Sequence, residues 1–323
     1  MHESAAPSRN EIPAAAATIP APRAGDWRGL RRLAGGFLAL VALTAGLVVL
    51  GALVRANHAG LACPDWPLCF GEFIPRMNLE IAFEWTHRLI AGGISLAFVA
   101  LAVPMLRRPD APRSAGILLA VATGLLAAQV LLGALTVWLR IAPWTVTAHL
   151  IIGNGFCLTL LLIACSLRDA TRERPARLPV PPAARRLVLA SAALLLLQML
   201  LGGLVSSRYA GPACPEWPTC NGGVWIPTWS GNVGLHLLHR LNGYALLAVL
   251  AAAAATGWRD PGLRRLTSLA LALGLGEVLA GVANVRLGIP AEITGLHTGL
   301  AAALVLTLTL ALRDAFTRTV PST

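Results

Sequence analysis

Eight stretches of this 323-residue chain are apolar for longer than the roughly 18 residues that carry a helix across membrane hydrocarbon. They run over residues 33–54, 84–106, 114–138, 144–167, 185–206, 236–257, 264–286 and 291–312. Lipid offers no water to pair with backbone amides, so each stretch must satisfy its own hydrogen bonds as a helix. Composition points the same way: 56% of residues are hydrophobic and only 13% are charged, well outside the range of soluble domains.

The net charge of +11 suggests a nucleic-acid partner until the charges are placed along the chain. All 26 basic residues are Arg, and 19 of them fall in the N-terminal tail, the 107–113, 168–186 and 259–265 segments, and the C-terminal tail. Five (Arg55, Arg76, Arg140, Arg208 and Arg286) lie in or beside the alternate loops, and Arg88 and Arg240 lie within helices. This is the positive-inside pattern. It predicts a multi-pass protein of the cell inner (plasma) membrane with both termini cytoplasmic and the alternate loops outside. The basic balance is topology, and no nucleic-acid partner is expected. The first 32 residues carry little apolar run and read as a disordered cytoplasmic tail rather than a cleaved signal.

The chain also repeats itself. Cys63-Pro64-Asp65-Trp66-Pro67-Leu68-Cys69 returns 151 residues later as Cys214-Pro215-Glu216-Trp217-Pro218-Thr219-Cys220. His87-Arg88 returns after 152 residues as His239-Arg240, and His149 returns after 148 as His297. Val130-Leu131-Leu132-Gly133 is echoed by Val278-Leu279-Ala280-Gly281. An even number of helices per half gives both halves the same orientation, as parallel repeats about an axis along the membrane normal. The expected fold is an all-α integral membrane protein with eight transmembrane helices in two tandem pseudo-symmetric four-helix bundles. The halves span 33–167 and 187–313, joined by a cytoplasmic linker over 168–186 and followed by a tail over 314–323.

Each Cys pair encloses five residues, two of them Pro, on the side predicted to be oxidising. A disulfide in each loop is the plainest reading, and thiol–disulfide exchange is the functional alternative. Zinc is disfavoured, because two Cys without nearby His do not complete a four-ligand site. Cys157 and Cys165, inside a helix, read as packing residues. His2 and His58 have no His partner in the repeat and read as solvated.

The other five His lie towards the ends of helices that face the Cys loops. Ionisable groups at membrane depth are costly and mark function. His87 and His149 can oppose each other across the first bundle, and His239 and His297 across the second. Two neutral imidazoles facing across a bundle suit a heme iron with two axial ligands. Arg88 and Arg240 are candidates for pairing with heme propionates, or for snorkelling to the interface. The halves differ at one position: Glu84 precedes His87 by three residues, whereas His236 precedes His239. Glu84 lies one turn from its His, where a carboxylate can move protons. Glu277 in the seventh helix stands opposite Gln129 in the third, as part of a proton path or as a structural hydrogen-bonding group.

Taken together, the eight helices in two halves, the two Cys loops, the Glu84-x-x-His87-Arg88 segment and His149, His239 and His297 resemble the heme A synthase family over residues 30–313. The resemblance implies an oxidoreductase that converts the C8 methyl of heme O to a formyl group, giving heme A for cytochrome oxidases. It implies heme B as cofactor, ligated by His239 and His297. It also implies a substrate heme held by His87 and His149 (with Arg88 beside it), Glu84 as the catalytic carboxylate, and disulfides Cys63–Cys69 and Cys214–Cys220. The cysteine pair in each half matches the bacterial type. Implied partners are heme O as substrate, heme O synthase as the metabolic partner that makes it, an unidentified electron donor and the lipid membrane; a homo-oligomer is also admitted.

Three other classes are weighed on the residues alone. A bis-His b-type membrane cytochrome that only carries electrons would need no specialised carboxylate, so the Glu84/His236 difference counts against it. A membrane disulfide oxidoreductase would use the Cys pairs but leaves four His unexplained. A two-repeat transporter would place its polar groups at the midplane, not near one end.

Overall fold

The computed structural model describes residues 26–171 and 179–317. Among these residues the chain forms eight α-helices: α1 (Asp26–Ala56), α2 (Leu79–Leu106), α3 (Arg113–Trp138), α4 (Pro143–Asp169), α5 (Pro182–Ser207), α6 (Gly231–Gly257), α7 (Pro261–Arg286) and α8 (Ala291–Phe316). All eight are long and apolar enough to cross a membrane. The protein is therefore an all-α, eight-span membrane protein.

Several helices outrun the apolar stretches that announce them. The first begins at Asp26, so residues 26–32 belong to a helix rather than to the tail expected over 1–32; residues 1–25, including His2, lie outside the described residues. The second begins at Leu79, five residues ahead of the apolar run. There the Asn78 side chain accepts from the Ile81 N–H at 2.8 Å and caps the first turn. Polar helix ends continue past the hydrocarbon because a backbone already in helical geometry loses nothing by extending into the headgroups. His87 consequently sits in the third turn of α2 rather than at its start.

The helices α1, α4, α5 and α8 form a central seam. α1 packs on α8 and α4 on α5, so each set of four meets the other through its first and last members. Flanking them are α2 and α3 on one side and α6 and α7 on the other. The flanks are unequal: α6 packs along α7, whereas α2 and α3 barely touch.

Each bundle is filled with apolar side chains towards the end away from the Cys loops. In the first, Phe37, Phe98, Leu119, Phe156, Leu160 and Leu167 are buried together, and Phe98 meets Phe156 edge-on at 5.5 Å. In the second, Leu195, Leu246, Leu250, Leu304 and Leu308 do the same. Hydroxyl side chains within the spans bond back to their own helices. Thr159, for instance, donates to the Gly155 carbonyl at 2.7 Å and Thr307 to Ala303 at 2.8 Å, so neither leaves a bare polar atom in lipid.

The two halves touch along an axis between them. Arg55 at the end of α1 donates to the Ser206 hydroxyl at 2.8 Å and to its carbonyl. The same guanidinium lies 4.4 Å above the ring of Tyr209. His58, expected to be merely solvated, is exposed but stacks on Tyr209, with ring centroids 6.3 Å apart. At the opposite end Arg313 of α8 pairs with Asp169 of α4.

Candidate functional site

The two loops that follow α1 and α5 are built alike. Cys63–Cys69 and Cys214–Cys220 are disulfide-bonded, and all four Cys are buried. Asp65 accepts from the N–H groups of Phe70 at 2.6 Å and Gly71 at 2.7 Å. Its counterpart Glu216 accepts from Gly222 and Gly223, each at 3.0 Å. Gly71, Gly222 and Gly223 all have positive φ, which glycine adopts without strain. The Gly71 N–H holds the Asp65 carboxyl below its ordinary value, and the Gly223 N–H does the same for Glu216.

The arginine next to each ligand candidate reaches into its own loop. Arg88 donates to the carbonyls of Asp65 at 2.7 Å, Leu68 at 2.8 Å and Cys63 at 3.2 Å. Arg240 donates to the equivalent carbonyls of Glu216 at 2.8 Å, Thr219 at 3.0 Å and Cys214 at 2.8 Å. A planar fork with several donors suits three carbonyls in a curved loop, which a single ammonium could not span. These guanidiniums are thus engaged by protein carbonyls.

Glu84 is buried inside the first clamp. One oxygen accepts from the Cys63 N–H at 2.9 Å, and the other pairs with Arg88 at 2.5 Å. In the second half His236 takes the place of Glu84. Its Nδ1 lies 3.1 Å from the Ala210 carbonyl, and its Nε2 accepts from Arg240 Nε at 3.1 Å. His236 therefore completes the same clamp with a neutral ring where Glu84 supplies a charge.

The four remaining His share one environment. Each presses against a glycine of the neighbouring helix: a Cβ on Gly51 would lie 3.1 Å from His87 Cε1, and one on Gly202 3.0 Å from His239 Cε1. The corresponding distances are 3.4 Å for Gly133 to His149 and 3.6 Å for Gly281 to His297. Gly51 and Gly202 are 151 residues apart, and Gly133 and Gly281 are 148 apart, the offsets of the Cys loops and of His149/His297. These glycines belong to the site. Gly133 and Gly281 stand in the echoed helix segments already noted, and Gly51 and Gly202 could have been found by continuing that comparison.

Among the described residues, the Nδ1 atoms of His87, His149, His239 and His297 are all buried without a hydrogen-bond partner. His149 Nε2 lies 3.3 Å from Gln129 Nε2, and His239 Nε2 lies 3.5 Å from Gln198 Nε2. Gln198 is itself held by Asn242 at 2.7 Å. His297 Nδ1 is 3.1 Å from Glu277 Oε2, close but outside hydrogen-bond alignment.

An unpaired polar atom buried in lipid or protein costs about 1–3 kcal/mol. Four imidazoles, two per bundle, each burying an unpartnered ring nitrogen and each lying against a glycine, fit a planar prosthetic group that takes ring nitrogens as axial ligands. The fold and these four rings define a class: polytopic helical membrane proteins whose duplicated bundles can hold hemes through paired His. The chain matches the family COX15-CtaA, described as cytochrome oxidase assembly protein, over residues 36–82 and 78–309, and it belongs to that family. It is 29% identical to the heme A synthase of Shewanella oneidensis over 81% of this chain and 90% of that protein. It is 35% identical to the heme A synthase of Symbiobacterium thermophilum over 78% and 85%, and 31% identical to that of Halalkalibacterium halodurans over 64% and 71%.

Proposed function

We propose that this protein is a heme A synthase, an oxidoreductase that takes heme O and oxidises its C8 methyl to a formyl group. The observation that carries the reading is the fourfold one: His87, His149, His239 and His297 each rest on a glycine and each bury an unpartnered ring nitrogen. The names of its relatives supply the reaction.

On this reading His239 and His297 ligate a resident heme B in the half over 187–313, and His87 and His149 bind heme O in the half over 33–167. The open side between α2 and α3 favours that division. A substrate that arrives from lipid and returns to it needs a bundle with a gap in its wall, whereas a resident group is better kept behind packed helices such as α6 and α7. The charge of Glu84, replaced by neutral His236 in the second half, favours the same division.

When bound, heme iron supplies the redox chemistry that side chains lack. The protein contributes placement. His87, His149, His239 and His297 would hold the iron, and the glycines leave room for those rings. The apolar cores around Phe98 and Leu250 keep water from the far end of each bundle. Arg88 and Arg240 enter the proposal as clamps on the Cys loops, and Glu84 as the carboxylate that joins the His87 helix to Cys63. The Arg distribution supports a plasma-membrane location with both termini cytoplasmic and the Cys loops outside. Heme O synthase supplies the substrate.

Purifying the protein from membranes of cells that also make heme O, then extracting and separating its pigments, tests the reading. Heme B together with heme O or heme A is the expected result. Heme B alone would favour a b-type electron carrier, and a heme-free protein would remove both.

A further inference from the structure

The two halves close differently at the end away from the Cys loops. Residues 258–260 join α6 to α7, whereas the longer segment 107–112 joins α2 to α3. Gly257 of α6 lets the second pair meet: a Cβ there would lie 3.2 Å from Leu263 and 3.3 Å from Thr267 of α7. Its counterpart 152 residues earlier is Met105, whose bulkier side chain is buried. The longer connection and the methionine hold α2 off α3, and a cavity of about 430 Å³ opens between them.

Its lining is of two kinds. Met105, Leu106, Gly116, Ile117 and Leu119 make an apolar trough, and Leu106 and Ile117 are exposed, so the trough opens sideways onto lipid. Gly116 faces open space, with nothing within 4 Å of where a Cβ would stand. Arg108 and Arg113 stand at the rim. Arg108 is bonded to Asp110 at 2.9 Å. Arg113 is exposed and has no hydrogen-bond or ion-pair partner among the described residues. An unneutralised guanidinium thus borders a slot that suits only apolar atoms.

A free phosphate would meet the guanidinium and leave the trough bare. A zwitterionic lipid would fill the trough but bring a second cation to a rim already positive. An anionic phospholipid answers both features. Its phosphate offers oxygens that a guanidinium can grip with two parallel hydrogen bonds, and its chain supplies the apolar contacts that α2 and α3 do not make with each other.

We propose that this cavity binds one anionic phospholipid, its phosphate on Arg113 and an acyl chain in the trough between α2 and α3. The site lies at the opposite end of the bundle from the four His, and the proposal does not depend on what those rings hold.

The test starts from the whole chain purified in detergent and stripped of lipid. It is titrated with phosphatidylglycerol or with phosphatidylcholine, and bound lipid is counted by native mass spectrometry. One phosphatidylglycerol is expected to bind ahead of any other lipid. Arg113→Gln should weaken that binding about fivefold, the share of one basic residue in attraction to anionic lipid. Gly116→Leu, which fills the trough and keeps every charge, should weaken it too. Arg265→Gln, an equal loss of charge at the start of α7, should leave it unchanged. Undiminished binding in Arg113→Gln or in Gly116→Leu would overturn the proposal, and so would an equal loss in Arg265→Gln, the mark of a diffuse basic surface. Equal binding of phosphatidylcholine, or displacement by millimolar inorganic phosphate, would overturn it as well.

Discussion

His58 stacks on Tyr209 with ring planes 16° apart, and the two residues are the same position in the two repeats, 151 apart. Arg55 and Ser206, hydrogen-bonded to each other, are also 151 apart. A residue can touch its own counterpart only where the axis relating the copies passes between them. These contacts therefore locate the pseudo-two-fold axis between the ends of α1 and α5. Both His58 and Tyr209 have positive φ, so the backbone repeats there even though the side chains differ.

Replacing Glu84 with Ala should stop conversion of heme O while leaving heme B bound. The substitution strips Arg88 of its carboxylate and the Cys63 N–H of its acceptor. Breaking a buried ion pair of this kind costs about 3–5 kcal/mol locally. Heme A yield and heme B content, measured by chromatography of extracted pigments, check it. An unchanged heme A yield would remove Glu84 from the site.

The glycine slots predict graded effects. Gly202→Ala and Gly51→Ala place a Cβ 3.0 and 3.1 Å from a His ring, tighter than normal packing allows, whereas Gly281→Ala places one at an ordinary 3.6 Å. The first two should each cost most of the heme of their own half, and the third should lose little. Heme stoichiometry of the purified variants gives the order. Equal losses from all three would contradict the idea that the slots are cut to the rings.

Arg240→Lys should loosen the second Cys loop without unfolding the bundle. One ammonium cannot reach the carbonyls of Cys214, Glu216 and Thr219 together. A charged hydrogen bond contributes about 1.5–3 kcal/mol, so loss of one or two should make the Cys214–Cys220 bridge distinctly easier to reduce. The rate of labelling after mild reductant measures this, with Cys63–Cys69 as the internal control.

The loops should also respond to acid. Asp65 has its value held below the ordinary 3.8 by the Gly71 N–H first of all, and Glu216 is held below 4.5 chiefly by the Gly223 N–H. A depressed carboxyl stabilises the fold above its unfolded value and loses that contribution as pH falls through its folded value. Hydrogen-exchange protection of the N–H groups of Phe70, Gly71, Gly222 and Gly223 should accordingly hold at neutral pH and fall below about pH 4. Asp65→Asn should abolish the pH dependence in the first loop alone. The same profile in both proteins would rule out this origin.

Much of this protein was legible in its sequence, for a physical reason. Lipid permits few ways of satisfying a backbone, so apolar length alone announced eight helices. Duplication then marked the four His by repetition. What escaped was set by atoms the sequence does not label. The contacts of Arg88 and Arg240 are with backbone carbonyls, which look alike at every residue. His236 made no sense until Arg240 and the Ala210 carbonyl stood beside it. Gly51 and Gly202 matter for a side chain they lack, and in apolar helices glycine is too common to draw notice. Helix starts at Asp26 and Leu79 were missed because the hydrophobic pattern ends where the membrane does, while the helix does not.

The leucines and phenylalanines filling one end of each bundle have an electrical meaning. All four ligand His lie near the other end, and so at similar depth. Under the proposed function an electron passing between the halves travels along the plane of the membrane rather than through it. Such a transfer crosses little of the transmembrane field, which acts at about 2.3 kcal/mol per charge per 100 mV for full passage. That transfer would neither charge the membrane nor be slowed by its charge.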